Sequence, residues 1–150
     1  MTRAPLAGLR VLTVSQFGAG PFGTQVLADL GADVIKIEDP TVGCDIARYV
    51  PPFRVGRDSL YFQSFNRGEK SITLDLRRPD AAGVLHDRVR VSHAVYNHLR
   101  GDLPEKLGLT YATLGADHRR LAVDRRRQGA HDLTHPGVHP AGPRLAATMS

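Results

Sequence analysis

Between Leu9 and Glu38 the chain spells out a strand, a turn, a helix and a second strand, an order that few folds accept. Leu9 to Ser15 reads Leu-Arg-Val-Leu-Thr-Val-Ser, an apolar, β-rich run suited to a strand buried in a parallel sheet. Gly18-Ala19-Gly20 follows as a small-residue turn, and Pro21 sits where the first turn of a helix tolerates a missing N–H. Phe22, Val26, Leu27 and Leu30 share one helical face and predict an inward apolar stripe, with Gly31 as the stop. Val34 to Ile37 reads as the second strand. A crossover of this length joins parallel neighbours.

The alternation continues. Residues 39–57 carry proline and glycine and read as a loop. Asp58 is placed to cap a short helix through Leu60, Tyr61, Phe62 and Phe65. Asn66 to Glu69 is a turn, and Ser71 to Leu76 a third strand that buries Ile72, Leu74 and Leu76. Pro79 opens a helix to about Val91 with Leu85 and Val89 inward, and Ala94 to Tyr96 is a fourth strand. Asp102 and Glu105 form a capping-box pair for a helix ending at Gly108, Thr110 starts another, and Leu121 to Val123 is a fifth strand. The pattern predicts an α/β domain with an open parallel sheet and flanking helices.

Bulk properties narrow the function classes. No run approaches the roughly 18 apolar residues of a membrane helix, and the start has no signal-peptide core, so a cytoplasmic location with no membrane partner is expected. Cys44 is the one cysteine, which rules out an internal disulfide and a cysteine metal cage. The net charge is +5, but residues 1–116 hold 14 basic and 12 acidic side chains and residues 117–150 hold 6 and 3. The excess sits in the tail and not on a folded face, so no nucleic-acid partner is expected.

Gly18, Gly20 and Gly23 make a G-x-G-x-x-G between a strand and a helix, and Glu38 ends the second strand. That is the setting of a dinucleotide site, with glycines admitting a pyrophosphate and the carboxylate taking a ribose hydroxyl. An NAD- or FAD-binding module of an oxidoreductase is therefore one reading. Gln16 and Phe17 lengthen the turn, and Pro21 removes one N–H donor, which favours an ordinary strand-to-helix turn or a different nucleotide.

Several blocks in order carry a more specific likeness. They are Pro5 to Leu12; Ala19-Gly20-Pro21; Leu27 to Glu38; Gly43, Asp45 and Arg48 as G-x-D-x-x-R; Asp58 to Phe62; Asn66-Arg67; Lys70 to Leu76; Asn97 with Leu99-Arg100-Gly101; and Lys106 to Leu109. Together they resemble the N-terminal part of the class III CoA-transferase family, the formyl-CoA transferases and carnitine CoA-transferases, over about residues 5–123.

The resemblance implies a Rossmann-like first domain that holds coenzyme A and uses no metal. It implies that Phe17, Gly18 and Ala19 line the thioester end, and that Leu74, Arg77, Asn97, His98 and Lys106 hold the nucleotide. The substrates would be an acyl-CoA and a carboxylic acid, and the full-length assembly an interlocked homodimer. In that family an aspartate carboxylate attacks the thioester and expels CoA thiolate, leaving a mixed anhydride. The thiolate then attacks the enzyme's carbonyl, releasing the donor acid and forming an aspartyl-CoA thioester, from which CoA passes to the acceptor. Acyl-CoA racemases share the fold. Two positions depart from the family pattern: Gly18 stands where formyl-CoA transferase has glutamine, and Asp39 where an arginine often follows the second strand.

No residue matches the family's nucleophile, so no catalytic residue is named and the chain alone is expected to be inactive. Residues 1–123 form the expected, incomplete CoA-binding domain, and residues 124–150 an irregular basic tail without isoleucine, phenylalanine or tyrosine. A frame lost near codons 117–128 of a GC-rich gene yields such a tail, and a short paralogue with a basic extension is the other reading. His131, His135 and His139 recur at spacing four, but Pro136 and Pro140 break the helix that a metal site at that spacing needs.

Overall fold

The computed structural model describes residues 3–117 and the strand 122–125. In chain order the elements are β1 (Arg10–Val14), α1 (Ala19–Asp29), β2 (Asp33–Glu38), β3 (Arg54–Val55), β4 (Asp58–Ser59), α2 (Leu60–Phe65), β5 (Lys70–Thr73), α3 (Pro79–Arg90), β6 (Ala94–Asn97), α4 (Leu103–Lys106), α5 (Tyr111–Leu114) and β7 (Ala122–Arg125). The parallel sheet has the order β5-β2-β1-β6-β7, with Leu12 of β1 opposite Ile35 on one side and Val95 on the other. The antiparallel pair β3-β4 stands apart from it. Among the described residues no helix is long and apolar enough to cross a membrane.

The apolar runs of the strands are explained by burial on both faces. Leu12, Ile37 and Val95 point to one side and pack with Leu85 and Val89 of α3 and with Leu109 and Leu114. Val11 and Val34 point to the other, against Leu27 and Ala28 of α1. Ile72, Leu74 and Leu76 pack against the first cluster, as their alternation predicts, although β5 itself ends at Thr73. Helices on both faces of a parallel sheet complete the expected α/β architecture. The fifth strand runs through Arg125, past the end of the domain read from the sequence.

Three local expectations are corrected. In α1 the inward residues are Gly20, Pro21, Thr24 and Gln25, whereas Phe22, Val26 and Leu30 are 54%, 41% and 40% exposed. Periodicity finds residues that share a face but not the direction of that face, and here the inward side is set by close packing at Gly20 and by a polar cluster beneath Thr24. The cap of α2 is Ser59, whose Oγ accepts from the Phe62 N–H at 2.9 Å, while Asp58 pairs with Arg48. Asp102 makes no side-chain cap at α4; its carboxylate is taken by Lys106 at 2.7 Å. The Thr110 cap of α5 and the Gly31 stop of α1, at φ 98°, are as expected.

Candidate functional site

A cleft of about 420 Å³ opens at the C-terminal edge of the sheet. The chain leaves β1 toward β2 and later returns to β6 on the other side, so the loops diverge at β1. Such a switch point is where open α/β sheets bind ligands. Val14, Ile37, Leu74, Leu99, Leu103 and Leu107 form the apolar walls. Asp39, Asp75, Arg77 and Arg100 supply charge, and the single thiol, Cys44, also lines the space. The arrangement suits a ligand with an apolar arm and an anionic end.

The turn between β1 and α1 forms one side of the cleft through Ser15 and Gln16. Phe17 adopts φ 72°, a left-handed conformation that costs energy for a side chain with a Cβ. Its N–H donates to Oδ1 of Asp45 at 2.9 Å, and the same oxygen accepts from the Ala47 N–H at 2.9 Å. The other oxygen of Asp45 accepts from Lys36 Nζ, and both side chains of this pair are almost completely buried. Behind the turn, a Cβ on Gly20 would lie 2.7 Å from that of Ser15 and 2.8 Å from that of His98, so the second glycine serves helix–sheet packing.

Glu38 does not present a ribose ligand. Its Oε1 accepts from Arg48 Nη2 at 2.6 Å and from Ser71, and its Oε2 from the Asp45 N–H at 2.8 Å and Arg48 Nε at 3.0 Å. Burial pushes the carboxyl pKa up, but these hydrogen bonds, Arg48's first, outweigh it and bring it to about 2. The dinucleotide reading of Glu38 is therefore corrected: every lone-pair direction is taken within the protein. Arg48 lies 3.8 Å from the Phe62 ring centroid and also holds Asp58. Close by, Glu69 accepts from the Thr24 hydroxyl at 2.6 Å through Oε1, while its Oε2 is buried without a partner. Burial raises the Glu69 pKa above its ordinary value.

The residues singled out from sequence fall in different places. Leu74 and Arg77 line the cleft. Phe17, Gly18 and Ala19 form the turn beside it, with the Phe17 ring 5.1 Å from that of Tyr61. Asn97 is fully buried, and its Nδ2 donates to the Leu109 carbonyl at 3.4 Å. His98 packs over Gly20. Lys106 is exposed and paired with Asp102, away from the cleft lining. The polar supports Lys36 and Glu38 escaped as site residues, and Asp45 was read only as part of the G-x-D-x-x-R loop; that spacing is the signal that could have found it. The three tail histidines and the frame-loss reading lie outside the described residues.

The family model for CoA-transferase family III matches residues 6–125. The chain belongs to this family. It is 38% identical over 117 residues to succinate–glutarate CoA-transferase of Agrobacterium fabrum, covering 75% of this chain and 29% of that protein. It is also 38% identical over 149 residues to acetyl-CoA:oxalate CoA-transferase of Acetobacter aceti, covering 99% of this chain and 37% of that one. The second match extends well past residue 125, for which a lost reading frame offers no reason. Among solved structures, a CaiB/BaiF family protein from Brucella suis superposes with a TM-score of 0.74 at 35% identity, covering 83% of this chain and 33% of that one. The family III chain thus spans about a third of the length of these relatives.

Proposed function

We propose that this chain supplies the coenzyme-A-holding part of an enzyme that moves CoA between an acyl-CoA and a carboxylic acid through an aspartyl-CoA intermediate. The observation that carries the proposal is the cleft at the β1 switch point: an apolar channel for a pantetheine arm, with charged groups at its rim for the nucleotide end. The saturated Glu38 carboxylate weighs against NAD or FAD in the same place. Among the sequence-predicted ligands, Leu74 and Arg77 are the ones this cleft favours. Phe17, Gly18 and Ala19 would stand near the thioester, with the turn's N–H groups facing charge that develops on its oxygen. The aspartate nucleophile lies outside this chain, which is inactive alone, and the complete enzyme works in the cytoplasm as a homodimer.

Calorimetric titration of the 150-residue chain with CoA and, separately, with NAD tests the binding part. Heat from CoA and none from NAD is expected; the reverse would overturn the reading. Incubation with an acyl-CoA and a free carboxylic acid should give no exchange. Turnover would show that the nucleophile is present after all.

A further inference from the structure

We propose that Arg100 is the side chain that grips the anionic end of the ligand at the cleft rim, a phosphate in the reading above, on which this assignment rests. The resemblance points instead to Arg77 and Lys106, and both are already engaged. Arg77 Nη2 donates to the two carboxylate oxygens of Asp39 at 3.0 and 3.2 Å and contacts the Thr41 hydroxyl, while its Nε donates to Asp75 at 2.9 Å. One cation between two carboxylates leaves no net attraction for an approaching phosphate, and Asp39 and Asp75 would repel it at close range. Lys106 is held by Asp102 at 2.7 Å and does not line the cleft.

Arg100 differs in each respect. It lines the cleft, is exposed, and among the described residues has no carboxylate at ion-pairing distance. The nearest acid in sequence, Asp102, is occupied by Lys106. Arg100 follows β6, so it stands on the side of the switch point away from Asp39 and Asp75, which follow β2 and β5. A tight turn fixes its backbone: the Leu103 N–H donates to the Arg100 carbonyl at 3.3 Å, and Gly101 takes φ 57°. A guanidinium with its forked donors free matches two phosphate oxygens at once.

The test is calorimetric titration of the 150-residue chain and its Arg100→Gln, Arg77→Gln and Lys106→Gln variants with CoA and with pantetheine, which lacks phosphate. All three substitutions are at exposed positions and leave the core intact. Arg100→Gln should weaken CoA binding roughly tenfold, the loss of one charge-assisted contact, and leave pantetheine unchanged. Arg77→Gln and Lys106→Gln should change CoA affinity by less than about threefold. Unchanged CoA binding in Arg100→Gln beside a clear loss in Arg77→Gln would overturn the assignment alone. Failure of the unsubstituted chain to bind either compound would overturn the underlying reading and the assignment with it.

Discussion

The backbone N–H of Phe17 donates to Oδ1 of Asp45 at 2.9 Å, across 28 residues of sequence. That bond ties a left-handed residue of the β1–α1 turn to the loop after β2, and Lys36 balances the charge from within the sheet. Asp45→Ala should cost about 3–5 kcal/mol, because it leaves Lys36 buried without its counter-charge. The Lys36→Met/Asp45→Leu double variant should recover much of that stability without restoring the turn. Urea denaturation reads the first effect, and hydrogen-exchange protection of the Phe17 amide the second. Protection retained in the double variant would show that the turn holds itself.

Glu38 carries a pH signature. Its carboxyl titrates at about 2 in the folded chain against 4.5 as the ordinary value. A depressed carboxylate stabilises the fold above the unfolded value and loses that contribution as pH falls through the folded one. About 3 kcal/mol should therefore disappear between pH 4.5 and 2. The stability gap between the unsubstituted chain and Glu38→Gln, measured in urea, should be constant above that window and shrink within it.

Glu69 should behave in the opposite sense. Its pKa is raised by burial, and one oxygen is buried without a partner. The folded state therefore holds the proton more tightly than the unfolded chain, and stability falls as pH rises from 4.5 through the folded value. Glu69→Gln keeps an acceptor for Thr24 and removes the buried charge, so it should raise the melting temperature at pH 7 and give no gain at pH 4. A lower melting temperature at pH 7 would mean that Lys36 needs the Glu69 charge.

Asp39 holds Arg77 out of play. In Asp39→Asn the guanidinium keeps only Asp75 and Thr41, and CoA should bind several-fold more tightly. The gain should vanish in the Asp39→Asn/Arg77→Gln double variant. Titration of both variants with CoA checks this, and equal affinities in Asp39→Asn and the unsubstituted chain would show that the pair does not oppose the ligand.

The strand order, the core and the family were legible from local pattern. Leu12, Val34, Leu85, Val89 and Val95 announce themselves by type and spacing, because burial on a sheet or helix repeats every two or 3.6 residues. The glycine turn was legible as a turn, but its likeness to a dinucleotide site was local. Whether Glu38 meets a ribose or an arginine depends on Arg48, ten residues away in a loop with no period. The same holds for α1, whose Phe22–Val26–Leu30 stripe reads as core and lies outside. It holds for Asp45, whose partners come from two other elements. Apolar burial is coded residue by residue, since each side chain carries its own transfer free energy. A buried charge is tolerable only where the folded chain gathers its partners, and that gathering belongs to the tertiary structure.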